Sequence, residues 1–174
     1  MNIKAVSGYI SLLILSSFLH AMKPSNHLLY SSLPLLMLIF PIAVGYGVRM
    51  NFSLKDVSLG CIASAIVLLP YYLLFGGHGT TITVYMILFQ MLSVSFPEEF
   101  FFRGFLQDSM GKNFKAVFFV SLLFSLAHLP RAIFLHDWIS LLSFFPSLIM
   151  GWLYMKTKNI LPGTIFHFLA NLAY

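Results

Sequence analysis

The chain has 174 residues, 59% of them hydrophobic and 17% aromatic, with a formal net charge of +5 and a mean hydropathy of +0.90. This composition excludes a soluble globule and describes a membrane protein of single-domain length. The charge does not point to nucleic acid, because no basic run with interleaved aromatics occurs and the basic residues fall almost entirely between apolar runs.

Seven apolar runs follow one another, at roughly 5–22, 28–48, 57–75, 81–109, 114–129, 138–155 and 160–173. A helix crossing a hydrocarbon core of about 30 Å needs about 20 such residues. Each run exceeds strand length and lacks the alternation of a membrane barrel. The expectation is therefore all-α: a polytopic bundle of about seven transmembrane helices, with 1–174 a single integral membrane domain. Lys4 before the first run resembles a signal peptide, but no small-x-small cleavage site follows, so that run is read as a helix.

The connections are short: "KPSNH", "RMNFSLKD", "GGHGTT", "GKN" and "KTKN". "GGHGTT" reads as a loop and not a phosphate cradle, since no strand precedes it. Cys61, the only cysteine, lies in the third run, which removes an internal disulfide and argues against a thiolate metal site. Seven crossings put Lys4, Arg49, Lys55, Lys112, Lys115, Lys156 and Lys158 on one side and Lys23 and Arg131 on the other. The positive-inside rule makes the first side cytoplasmic, with the N-terminus inside and Tyr174 outside.

An ionisable side chain at the centre of a membrane helix costs about 2.5 to 3.5 kcal/mol on insertion scales, so such groups face a cavity or each other. Glu98, Glu99 and Arg103 in "SFPEEFFFRGF", with His128 and His167, are the five that stand out, and Asn171 joins them. All lie in the fourth, fifth and seventh runs, which leaves the first three and the sixth as scaffold or substrate-guiding walls. Glu99 and Arg103 are four apart with the acid first, the favourable order for a helical ion pair. Glu98 points about 100° away and is the less neutralised carboxylate. Pro97 removes a backbone donor and can open the helix there. Phe124 with His128, and His167 with Asn171, also share faces at a spacing of four. A rise of 1.5 Å per residue lets Glu98, His128, His167 and Asn171 meet at one depth.

A carboxylate beside a neutral imidazole takes a proton from water, and a second imidazole with an amide stabilises an oxyanion, which together make a hydrolase inventory. Plainer readings stand beside this one. A lone membrane histidine is usually a helix-to-helix hydrogen bond. His20, His27, His78 and His136 sit near span ends, where an interfacial or solvated role suffices. Gln90, two turns before Glu98, reads as interhelical packing or cavity lining, and the phenylalanines as packing or lipid-facing. Ser95 and Ser125 lack a nucleophile motif, and no His-Glu-x-x-His, Gly-x-Gly-Asp or Gly-x-Ser-x-Gly occurs.

"EEFFFR", "FSLAH" and "HFLAN" fit Glu-Glu-x-x-x-Arg, Phe-x-x-x-His and His-x-x-x-Asn. In that order, over Ser95 to Tyr174, the chain resembles the CPBP family of CAAX prenyl proteases and bacteriocin-processing or self-immunity (Abi) proteins. The resemblance implies a glutamic-type intramembrane endopeptidase in which Glu98 and His128 activate water and His167 and Asn171 hold the oxyanion. Glu99, Arg103 and Phe124 would support the site. It also implies a membrane-associated peptide or protein substrate, no cofactor, and a place in a bacterial inner (plasma) membrane. The small size suits members that process peptides or C-terminal sorting tags. The alternatives are zinc on the two histidines and a glutamate, a proton-coupled transporter, and a non-catalytic membrane partner such as an immunity protein.

Overall fold

A computed structural model describes residues 2–48, 50–75 and 83–173. Arg49, the "GGHGTT" connection with His78, and Tyr174 lie outside the described residues. Among those described, the chain forms seven helices and no strand. We label them α1 (Ile3–Met22), α2 (Ser32–Ala43), α3 (Leu54–Phe75), α4 (residues 84–110), α5 (Phe114–Leu135), α6 (Trp138–Thr157) and α7 (Leu161–Ala173).

Four of the helices, α1, α3, α5 and α6, are long and apolar enough to cross a membrane. The run at 28–48 gives only a short helix, for a local reason. Gly45 at φ +73 ends α2 with its N–H on the Ile42 carbonyl, while the Tyr46 N–H reaches the Pro41 carbonyl, the pairing of a Schellman stop. Tyr46 then donates to Asp108 Oδ2 at 2.7 Å and packs its ring on Phe105. At 1.5 Å per residue, neither α2 nor α7, with 12 and 13 residues, matches the thickness of a bilayer alone.

Side-chain caps fix the helix starts. Asn2 accepts from the Ala5 N–H, Thr83 from Met86 and Asn113 from Ala116. Asn159, buried in the α6–α7 turn, accepts from the Leu161 N–H and donates to Asp56 Oδ2 and the Asn51 carbonyl, tying the starts of α3 and α7 together. Lys4 Nζ donates to the Val44 carbonyl at 2.8 Å on the same end of the bundle. α3 packs along α7, α6 lies between α5 and α7, and α1 lies against the last turns of α5.

At the centre is α4. Phe101, Phe102, Phe105 and Leu106 are buried against Leu12, Met37, Val120, Phe124, Met150 and Phe166 from five other helices. These rings pack internally and do not face lipid. The helix is not uniformly α. Gln90–Ser95 and Phe100–Gln107 take the wider π turn, on either side of an α turn containing Pro97, Glu98 and Glu99. π turns concentrate at functional positions.

Candidate active site

The wide turn of α4 lines up residues four apart. Glu99, Arg103 and Gln107 are all buried and face α6 and α7. Arg103 Nε lies 3.3 Å from Glu99 Oε2, both side chains at 0% exposure. The Arg103 Nη2 donates to Ser147 Oγ at 3.2 Å, and Gln107 Nε2 to the Gly151 carbonyl at 2.8 Å. The guanidinium also sits 5.0 Å from the centre of the Phe124 ring. A buried charge needs such partners, because an unpaired one costs several kcal/mol, on the order of 3 to 5 when one partner is removed. Part of this network comes from α6, the helix expected to be only wall.

Glu99 turns its other oxygen toward α7, where His167 Nδ1 is 3.3 Å from Oε1. The opposite ring nitrogen, Nε2, is 3.6 Å from Glu98 Oε2. The histidine thus stands between the two adjacent glutamates. Both of its contacts, and that of Arg103 Nε with Glu99, are within ion-pair range without the alignment of hydrogen bonds. Close approach here depends on Gly163 in the first turn of α7: a Cβ there would lie 2.5 Å from Glu99 Oε2.

Glu98 has another environment. Its side chain keeps 19% exposure and lines a cavity of about 880 Å³ together with Phe102 and His128. The cavity runs between α1, α2 and the first half of α4, with Leu12, Met37 and Phe89 on its walls. His128 stands at a break in α5, at φ −86 and ψ −5, with Pro130 next but one. Its Nδ1 is 2.9 Å from the Phe124 carbonyl. A carbonyl only accepts, so Nδ1 carries the hydrogen and a neutral ring keeps its lone pair on Nε2. Phe124 joins the parts: its ring centre is 5.1 Å from that of His128, 5.7 Å from that of His167 and 4.9 Å from that of Phe102.

Six of the seven residues singled out from the sequence therefore form one cluster. The seventh, Asn171, is one turn beyond His167 and donates through Nδ2 to Gln90 Oε1 at 3.3 Å. Sequence reasoning did not assign Ser147, Gly151, Gln107 or Gly163. The signal for three of them was a repeat of four, Gln107 extending the Glu99–Arg103 series and Ser147–Gly151 facing it. Among the described residues no group of three His, Cys, Asp or Glu side chains is placed to hold a metal ion.

The family model described as type II CAAX prenyl endopeptidase Rce1-like matches residues 80–173, more than half of the chain. The chain belongs to the Rce1-like family. That match spans α4 to α7, the four helices that carry the cluster. No curated protein and no solved structure matches the chain. Rce1-like membership, with the apolar helices, supports an integral membrane protein and, in general terms, a CAAX-type endopeptidase acting on membrane-associated substrates.

Proposed function

We propose that the chain is a glutamic-type intramembrane endopeptidase that uses Glu98 and His128 to activate water. One observation carries this reading. Of the two adjacent glutamates, Glu98 opens on the cavity beside His128, whereas Glu99 is sealed against Arg103. A general base must reach solvent or substrate; a structural counter-ion need not.

In the reaction, a water in the cavity gives a proton to Glu98 as its oxygen bonds to the scissile carbonyl carbon, and His128 Nε2 orients that water through its lone pair. The carbonyl oxygen becomes an oxyanion, for which the His167 ring and the Asn171 amide are the donors. Glu98 then passes its proton to the departing amine as the C–N bond breaks. Glu99 and Arg103 hold α4 against α6 and α7, and Phe124 spaces the two histidines. The N-terminus is cytoplasmic and the C-terminus outside in this reading, in keeping with the basic residues at one end of the bundle.

A proton-coupled transporter would need polar groups across the whole thickness. Below Glu98, on the cavity side of α4, the core is instead Phe102, Phe105 and Leu106, each at most 1% exposed, and the polar row of Arg103 and Gln107 is closed off against Ser147 and Gly151. The test is cleavage of membrane-anchored peptides by purified protein in detergent, comparing native protein with Glu98→Gln. Cleavage that survives Glu98→Gln sinks the mechanism, and no cleavage of any peptide favours the non-catalytic partner.

A further inference from the structure

The two ends of the bundle differ in both charge and access. One end carries Lys4, Lys55, Lys112, Lys115, Lys156 and Lys158, and its connections are tied across one another by the Lys4–Val44, Tyr46–Asp108 and Asn159–Asp56 hydrogen bonds. At the other end the described basic residues are Lys23 and Arg131. The cavity holding Glu98 and His128 opens at this second end. Its rim is His20, Ser25, Asn26, Ser31, Tyr85 and Arg131, which lie where α1 ends, α2 and α4 begin and α5 nears its last turn.

From these two asymmetries we infer that the site is entered from the non-cytoplasmic face, so that its substrate is a membrane-anchored peptide whose cut segment lies outside the cytoplasm. The inference rests on the proteolytic reading for the word substrate, but its geometry does not. Lysine-rich short connections stay on the cytoplasmic side, and the shaft leads away from them. The rim also suits an extended peptide. Ser25 and Ser31 offer donors and acceptors to its backbone, and below them Leu12, Leu33 and Met37 accept apolar side chains. Arg131 has its Nε held by Asp137 Oδ2 at 2.6 Å, which leaves its terminal nitrogens for a second acceptor.

The test is cysteine labelling in a Cys61→Ala background, with Asn26→Cys and Ser25→Cys at the rim, Ser93→Cys inside the cavity, and Lys112→Cys at the opposite end. A membrane-impermeant thiol reagent is applied to intact cells and to inside-out vesicles. The expected result is modification of both rim positions and Ser93→Cys in intact cells, and of Lys112→Cys only in the vesicles. Rim cysteines that react only in vesicles overturn the inference, and so does a Ser93→Cys that stays unmodified in intact cells. Labelling needs no turnover. The expected map with no peptide cleavage by purified protein would remove the protease reading and keep the sidedness, whereas cleavage with an inverted map would do the opposite.

Discussion

His167 Nδ1 faces Glu99 Oε1 at 3.3 Å, closing the side of the glutamate that Arg103 does not reach. The contact gives His167 a share in stability as well as in chemistry. His167→Leu leaves a buried carboxylate oxygen without its counterpart and is expected to cost about 1 to 3 kcal/mol. His167→Gln keeps a donor and should recover part of that stability while cleavage stays low. Thermal unfolding of both variants in one detergent decides it; an unchanged midpoint for His167→Leu would show that the contact is idle.

The two glutamates should fail in different ways. Glu98→Gln is expected to fold and insert normally and to lose cleavage by about 10² or more. Glu99→Gln and Arg103→Gln each leave a buried partner unpaired and should lose about 3 to 5 kcal/mol of stability. The double change should cost less than the sum of the singles. Additive losses would mean that the pair is not coupled.

Gln90 is expected to orient the Asn171 amide, since its Oε1 accepts from Asn171 Nδ2. Gln90→Leu should lower kcat about tenfold with KM little changed, less than the about 10² to 10³ of an oxyanion donor removed outright. Gln90→Glu keeps the accepting oxygen and should restore most of the rate. In an Asn171→Ala background, Gln90→Leu should add nothing; a further tenfold loss there would separate the two residues.

Gly163→Ala places a methyl 2.5 Å from Glu99 Oε2, inside its contact distance. Overpacking of this kind costs about 1 to 3 kcal/mol, and the displaced carboxylate should weaken cleavage as well. A variant with native melting and native rate would show that α7 shifts freely at its first turn.

Cleavage is expected to survive dialysis against a strong chelator, because Glu98 and His128 can activate water without a metal. Loss of activity that added zinc restores would make the histidines ligands and overturn the mechanism.

Much of this was legible in the sequence because charge in an apolar helix has to be answered by other charge. "EEFFFR" announced a buried pair, and Glu99 with Arg103 is that pair. The seven apolar runs likewise appear as seven helices. What was hidden follows from geometry that a residue list does not carry. The stop after α2 depends on the backbone at Gly45, and "IAVGYGV" reads as a continuous apolar run unless that turn is seen. The position of His167 between both glutamates depends on how near α7 comes to α4, which Gly163 permits. Gln90 looked like packing, and its partner was visible only once α4 and α7 were side by side.

The π turns of α4 change what a substitution or deletion there does. On a standard wheel of 3.6 residues per turn, Gln107 would stand about 80° around the helix from Glu99. Here both face α6 and α7, because the chain spends extra residues on each revolution. The angular aim of the glutamates is therefore a property of winding, held from outside by Ser147 and Gly151. Removing one residue between Phe100 and Leu106 would let the segment rewind to the ordinary pitch with little change in span length. That chain would still cross the bilayer, and with seven residues in place of eight Gln107 would stand within about 20° of Glu99, so the wide turn absorbs one extra residue while keeping the polar row in phase.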